Sequence, residues 1–297
     1  MNFSIIIPTY KRQDSLGTML KSLENQKRLP DEVIVIDDDT LPKRFLQKIE
    51  GNLTALGVNF IYHKKDHDVH LCGSSTSRNL GIRFASHEIC FIFDDDLILD
   101  EDFFEQIVSV WKDNKSEDLI GVGAVIKNNR RRSWLEKTYN WFFGLSGENN
   151  WDVNDVGFQS WDDWIKKQEI GYYVHGGVCS YKKNAVEQLS GFTVRSGGRD
   201  ALEDVDFCLR SKQAGYHFII NPTAKVAHNH SPSGRENSSV AGFKEGYNRK
   251  QIFRDHCKKT LKTCVWFLWS STGWILRQLL VGHFAKGFGM IKGLLSN

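Results

Sequence analysis

Three of the acidic clusters in this sequence have the form of a site that handles hydroxyls or a cation. Asp94-Asp95-Asp96 closes the apolar run Ile89-Cys90-Phe91-Ile92-Phe93. If the strand runs on, Asp94 and Asp96 point to the same side and offer hard oxygen ligands to one divalent cation, Mn2+ or Mg2+, able to bridge a diphosphate. A solvated acidic turn is the plainer reading. Asp37-Asp38-Asp39 ends the run Val33-Ile34-Val35-Ile36, where a carboxylate can accept from a base N–H or ribose hydroxyls; Asp39 and Thr40 read as loop or capping residues. Glu203-Asp204-Val205-Asp206 precedes Phe207, Leu209 and a Gly215 stop. It therefore falls in the first turn of a short helix, where carboxylates suit the helix dipole. Capping accounts for one of these acids and need not account for all.

Other residues complete the chemistry. Ser77-Arg78-Asn79-Leu80-Gly81 opens a helix ahead of the Asp94 run, setting a guanidinium fork, an amide and a helix N-terminus where phosphate oxygens would lie. The same residues also fit a surface turn capped by Ser77. Gly176-Gly177, before Val178-Cys179-Ser180-Tyr181, lets the backbone approach a ligand closely and return to a strand. His228-Asn229-His230 follows Lys225-Val226-Ala227; imidazole suits manganese-class metals, with His228 preferred as ligand and a purely structural histidine as the alternative.

These residues need a frame. Phe3 to Pro8 is a β-branched run closed by proline, and Ser15 to Gln26 carries Leu16, Met19, Leu20 and Leu23 at helical spacing. Val33 to Ile36, Val58 to Tyr62 and Ile89 to Phe93 continue as strands with helical stretches between, including Ser77 to Ala85. Such alternation predicts an α/β fold, a mostly parallel sheet flanked by helices, with both acidic strand ends facing one crevice. From about residue 127 to 167 the alternation fades and Trp134, Trp141, Trp151, Trp161 and Trp164 crowd polar surroundings, as in an insertion that shapes a pocket. A soft boundary is expected near residue 231, before a Ser/Gly-rich link and a helical tail.

The 297 residues, 40% hydrophobic and 12% aromatic, suffice for a large core. A formal net charge of +3 falls far short of a dedicated nucleic-acid binder, so no nucleic-acid partner is expected. The scattered cysteines form no C-x-x-C pair and read as reduced cytosolic thiols. No signal peptide is visible, so the sequons at Asn52 and Asn237 read as chance matches. P-loop, G-x-S-x-G and H-E-x-x-H patterns are absent from the sequence.

In order and spacing, Ser4 to Tyr10, Val33 to Asp38, Ser77 to Asn79, Phe93 to Asp96, Gly176-Gly177 and Glu203-Asp204 resemble the family 2 glycosyltransferases, inverting enzymes of the GT-A fold, over roughly residues 1 to 230. The resemblance implies a nucleotide-diphospho-sugar donor. Pro8, Thr9, Tyr10 and Asp38 would line the nucleoside site, and Arg78 and Asn79 would neighbour the donor. Asp94 and Asp96 would serve ribose and metal, with His228 as the downstream metal or diphosphate contact. Arg12 and Asp95 complete the expected donor set, and Gly176, Gly177 and Trp161 are assigned to the acceptor. Asp204 would be the general base, with Glu203 binding an acceptor hydroxyl or orienting Asp204. The sequence departs from processive polysaccharide synthases in having no Q-x-x-R-W motif and no multispan region, which implies transfer of one sugar.

Two other readings compete: a sugar nucleotidyltransferase, which usually carries a Gly-rich loop where Pro8 to Arg12 has no glycine, and a non-enzymatic carbohydrate-binding protein built on the tryptophans. In the tail, residues 244 to 292 hold ten basic side chains against Glu245 and Asp255. The apolar run Cys264 to Leu276 is too short to span a bilayer, which takes about 20 apolar residues. Trp266, Trp269 and Trp274 beside lysines predict amphipathic helices on an anionic membrane surface. The enzyme is then expected to be cytoplasmic, peripheral on the cytoplasmic face, serving a glycan or lipid-linked acceptor. A basic hairpin packed on protein is the alternative.

Overall fold

A run such as Phe3-Ser4-Ile5-Ile6-Ile7 is stable only if both its faces are covered. The computed structural model, which describes residues 1–195, 200–231 and 236–296, buries it as β1 (Phe3–Thr9) in the middle of a sheet. The chain continues as α1 (Gln13–Glu24), β2 (Glu32–Asp37), α2 (Lys43–Ala55), β3 (Asn59–Lys64), α3 (Ser74–Phe84) and β4 (Ile89–Phe93). These strands lie parallel in the order β3-β2-β1-β4. Thr9 stands opposite Asp37, and Ile6 opposite Ile92, so the carboxyl ends of all three inner strands open on one side. Strand order reverses at β1, the place where open α/β sheets form a ligand crevice.

Next come β5 (Leu97–Leu99), α4 (Phe103–Asp113), β6 (Leu119–Ile126), α5 (Trp134–Phe142), β7 (Asp152–Val153), β8 (Gln159–Ser160), β9 (Glu169–Gly171), β10 (Val178–Lys182), α6 (Lys183–Gln188), α7 (Glu203–Gln213) and β11 (His217–His228). The sheet extends as β4-β10-β6-β11-β5, with β9 on β11 and a separate β7–β8 pair. β10 runs antiparallel to both β4 and β6, while β11 is parallel to β6. The sheet is thus mixed beyond its parallel half. Side-chain alternation divides the core: Phe3, Ile5 and Ile7 join α1, α2 and α4 on one face, while Ile6 meets Leu80 of α3 and Phe207 of α7 on the other.

The expected link after residue 231 falls mostly on residues 232–235, outside the described residues. Beyond it stand α8 (Ser238–His256), α9 (Leu261–Leu280) and α10 (Phe284–Leu295). α8 is part of the catalytic body: Ile252 enters the second core, and fully buried Arg249 donates to the Gly157 carbonyl and to Gln159, stacked over Phe158 and Trp274. α10 crosses α8 at backbone distance. A Cβ on Gly246 would sit 2.2 Å from the Met290 carbonyl oxygen, and one on Gly293 2.1 Å from that of Phe243, so two G-x-x-x-G rows form the seam. α9 packs on α5 through Gly273 against Phe143 and Tyr139 donating to the Gly273 carbonyl. No helix among the described residues is long and apolar enough to cross a membrane.

Candidate active site

The crevice begins where β1 and β2 end. Thr9 Oγ1 donates to Asp95 Oδ2 at 2.7 Å, and Arg12 Nη1 lies 3.0 Å from Asp95 Oδ1 and 3.6 Å from Asp96 Oδ2. Burial raises the Asp95 carboxyl, against the pull of Thr9 and Arg12. Asp38 accepts from the Gly73 N–H at 2.9 Å and pairs with Lys65, whose side chain is completely buried and also reaches the Gly73 carbonyl and Ser77 Oγ. Asp37 is structural: it accepts from the N–H groups of Asp39 and Leu41 and from Tyr62, whose phenol burial and Asp37 push up to about 12. Pro8 is half-buried and the Tyr10 ring is exposed above the crevice.

The acidic triplet separates into three directions. β4 ends at Phe93 and residues 95–96 form a turn, so strand alternation does not carry Asp94 and Asp96 to one side. Asp94 turns toward Arg78, 3.5 Å away, whereas Asp95 faces Arg12. Asp96 takes His228 Nε2 at 2.8 Å and the Ser231 N–H at 2.9 Å. Burial opposes its ionisation, yet the His228 and Ser231 hydrogen bonds hold its carboxyl well below the usual range. The His230 ring lies tilted against His228, 4.1 Å between centroids, and the ligand atoms of Asp96, His228 and His230 all lie within 4.8 Å of one another. The candidate metal centre is therefore this trio, with Asp94 outside it.

Arg78 is the hub between the acidic turn and α7, pairing with Asp94 and Glu203. Its helix α3 opens at Ser74, not Ser77, which places Arg78 in the second turn. Burial opposes the cation, but Glu203 and Asp94 outweigh it and raise its pKa. Glu203 accepts from Arg78 at 2.7 Å and from Ser74 at 3.1 Å. Asn79, one residue on, faces away from the crevice: its amide is spent on the Phe192 backbone, donating to O and accepting from N, each at 2.8 Å. The expectation that Asn79 neighbours the donor is thereby corrected, because adjacent helical residues point about 100° apart.

Asp204 stands in the first turn of α7 and is partly accessible. Tyr173 donates to its Oδ2 at 2.8 Å and the Val205 N–H to its Oδ1 at 2.8 Å. Burial and the neighbouring Glu203 raise its carboxyl, with Tyr173 and Arg78 opposing. Leu202, just before the helix, has φ +60°, the left-handed conformation that costs a non-glycine residue about 1–3 kcal/mol and concentrates at functional sites. Gly176 and Gly177 make room for carboxylates: a Cβ on Gly176 would lie 2.7 Å from Asp204 Cβ, and one on Gly177 2.2 Å from Asp94 Cγ. Asp206 belongs elsewhere. It ties α7 to α8 through Thr193, Arg195, Arg210 and His256. Trp161 lies one ring removed from Asp204, 6.1 Å from Tyr173 between centroids, with Arg132 over its face at 4.2 Å.

The residue pattern alone did not single out Lys65, Tyr173 or Arg132. The only signal for Tyr173 was its place just before Gly176-Gly177. Lys65 stands alone after a strand and nothing in the pattern marks it as buried.

A parallel half-sheet with acidic strand ends, a histidine pair beside one of them and a helix-borne carboxylate across Arg78 define a glycosyltransferase of the GT-A class. The chain belongs to glycosyl transferase family 2, matching that family over residues 4–170. The related glycosyl transferase family group 2 matches over residues 89–295. Among curated proteins, the O-antigen chain rhamnosyltransferase RfbN of Salmonella typhimurium is 22% identical over 242 residues, 80% of this chain and 69% of that protein. The mannosyltransferase PcManGT of Pyrobaculum calidifontis, solved with GDP-Man and Mn2+, superposes with a TM-score of 0.59 at 15% identity, covering 98% of this chain and 79% of that one. S. aureus TarS 1-349 with UDP-GlcNAc superposes at 0.55 and 15% identity, over 99% and 90%. At such identities the likeness establishes the fold. Family membership sets aside the nucleotidyltransferase and the non-enzymatic sugar binder.

Proposed function

We propose that this glycosyltransferase moves one sugar from a nucleotide-diphosphate donor to an acceptor hydroxyl with inversion, using Asp204 as general base. The carrying observation is the Asp204 carboxylate, raised by burial, fixed by Tyr173 and linked through Glu203 and Arg78 to the Asp94–Asp96 turn. A raised carboxyl is a better proton acceptor for a hydroxyl than an ordinary aspartate. Glu203 is committed to Arg78 and Ser74, which makes it an orienting group. The GDP-Man and UDP-GlcNAc complexes of the structural neighbours support a nucleotide-sugar donor, received along Asp38, Thr9, Arg12 and Asp95. One ionised carboxylate and two imidazoles fit Mn2+ better than Mg2+, which prefers oxygen. Such an ion supplies positive charge to a departing diphosphate.

The acceptor side adjoins a large exposed apolar surface. On α5, Trp134, Leu135, Trp141 and Phe142 share one exposed face; on α9, Leu261, Val265, Leu268, Trp269, Leu276 and Leu280 do the same. Phe142 and Trp269 meet at 5.2 Å between ring centroids, so the faces adjoin. Phe284 and Phe288 of α10 are exposed as well. A patch of this kind with Lys258, Lys259, Lys262 and Arg277 nearby in sequence favours peripheral docking on an anionic membrane surface, on the cytoplasmic side, and a lipid-linked acceptor.

A panel of UDP-, GDP- and dTDP-sugars with Mn2+, read by thermal stabilisation, tests the donor assignment. One class at 100 times its dissociation constant should add roughly 2.7 kcal/mol. No stabilisation by any member would overturn the reading.

A further inference from the structure

Between the crevice and the apolar face lies a cavity of about 210 Å³ whose lining includes Arg132, Lys137, Asn140, Trp161 and Asp162. Its charges are unevenly matched. Lys137 lies 3.8 Å from Asp162, whose other oxygen accepts from the Trp164 N–H. Glu148 is the other acid of the lining, and Glu136, outside it, is shared by Arg130 and Arg277. Arg132 makes no hydrogen bond and no ion pair with any described residue; its guanidinium lies over the Trp161 ring, 4.2 Å from the centroid. With the ring beside its Cζ and its N–H groups unspent on described residues, the guanidinium is able to offer donors to an oxyanion, and arginine binds phosphate bidentately. Half-burial and nearby Arg277 disfavour the cation and lower its pKa, only partly offset by the more distant carboxylates of Asp162, Asp163 and Glu136; a directly bonded anion would relieve both.

Position names the anion. Trp134 and Leu135, which begin the exposed apolar face, follow Arg132 within three residues. On the inner side Trp161 packs on Tyr173, which holds the base. A group at Arg132 therefore stands where lipid ends and saccharide begins. We infer that Arg132, carried on Trp161 and assisted by Lys137, binds the phosphate or diphosphate joining a lipid to the acceptor saccharide. This rests on the reading of the chain as a transferase to a lipid-linked acceptor, and adds a specificity subsite to it.

The test compares Arg132→Gln with wild type on a short-chain, soluble lipid-diphosphate saccharide and on the same saccharide without phosphate. The variant should raise KM for the first acceptor about tenfold to a hundredfold, the range for losing a hydrogen bond to a charged group. Its kcat, its donor KM and its use of the neutral acceptor should stay unchanged, and Arg132→Lys should fall between. An equal change on both acceptors, or none on either, overturns the inference. Reduced binding to phosphatidylglycerol vesicles with unaltered acceptor KM also overturns it, since the phosphate would then be a bilayer headgroup. If the variant does not fold, wild type decides. A sugar-free short-chain prenyl diphosphate should compete with the acceptor and the matching prenol should not; equal inhibition by both contradicts the subsite. Donor turnover with no preference for the phosphate-bearing acceptor sinks the subsite alone, whereas absence of transfer to either acceptor sinks the reading beneath it.

Discussion

Asp204→Asn separates chemistry from binding more cleanly than any other change in the crevice. The amide keeps the shape of the side chain: its oxygen can still accept from the Val205 N–H, and the Tyr173 bond can survive reversed, with the amide N–H donating to the hydroxyl. At most one such bond is lost, at a cost of about 1 kcal/mol. Removing a buried charge beside Glu203 returns part of it, because a carboxyl raised in the fold stabilises the protein fully below the unfolded value near 3.8 and loses that contribution as pH climbs through the raised one. The melting temperature should therefore move by no more than about 2–4 °C. Loss of the general base should cost on the order of 10² to 10⁴ in kcat, about 3–5 kcal/mol of barrier. Labelled-sugar transfer at saturating donor gives kcat, and calorimetry gives donor affinity. In wild type kcat should rise with pH through the raised pKa, and that acid limb should vanish from the residual activity of the variant. A kcat within a few-fold of wild type, or a loss matched by weakened donor binding, would refute Asp204 as base.

Asp96→Ala should weaken donor binding when Mn2+ is present and leave it nearly unchanged in EDTA; full transfer in excess EDTA would refute the metal centre. Asp206→Asn should destabilise by roughly 3–5 kcal/mol, because Arg195, Arg210 and His256 lose their buried partner. Since the Asp206 carboxyl is held far below its ordinary value despite burial, by His256 and Arg210, this contribution is present above about pH 4 and fades as pH falls, so the variant's melting profile should be flatter in acid. Gly246→Ala should drive a methyl into the Met290 carbonyl and loosen α10, seen as faster proteolysis near residue 282 at unchanged kcat on a soluble acceptor. Trp141→Ser with Phe142→Ser should reduce sedimentation with phosphatidylglycerol vesicles severalfold, and high salt should release only part of the wild-type protein; wild type that never sediments would refute the docking.

The parallel half of the sheet was legible because β1, β2 and β4 are continuous Ile, Val and Phe runs, which only burial on both faces tolerates. Strand neighbours were not: Val178 to Lys182 reads like any buried strand, and nothing local shows that it enters antiparallel between β4 and β6. The acidic ends drew attention to the correct loops, but the turn after Phe93 decided which carboxylate meets the histidines. Likewise the basic tail suggested one amphipathic unit. Buried Arg249 and Ile252 instead make α8 a wall of the catalytic body, and α5, from the tryptophan-rich insertion, joins α9 in the exposed face. Long-range partners of this kind leave no mark on spacing.

Inverting transfer is a single displacement at the anomeric carbon, assisted by one carboxylate. The most direct test incubates the protein with Mn2+, the stabilising nucleotide sugar and acceptor, and reads the anomeric configuration of the product by proton NMR coupling. An α-linked donor should yield a β-linked product, at a rate that collapses in Asp204→Asn. Retention of the donor's configuration would contradict the account.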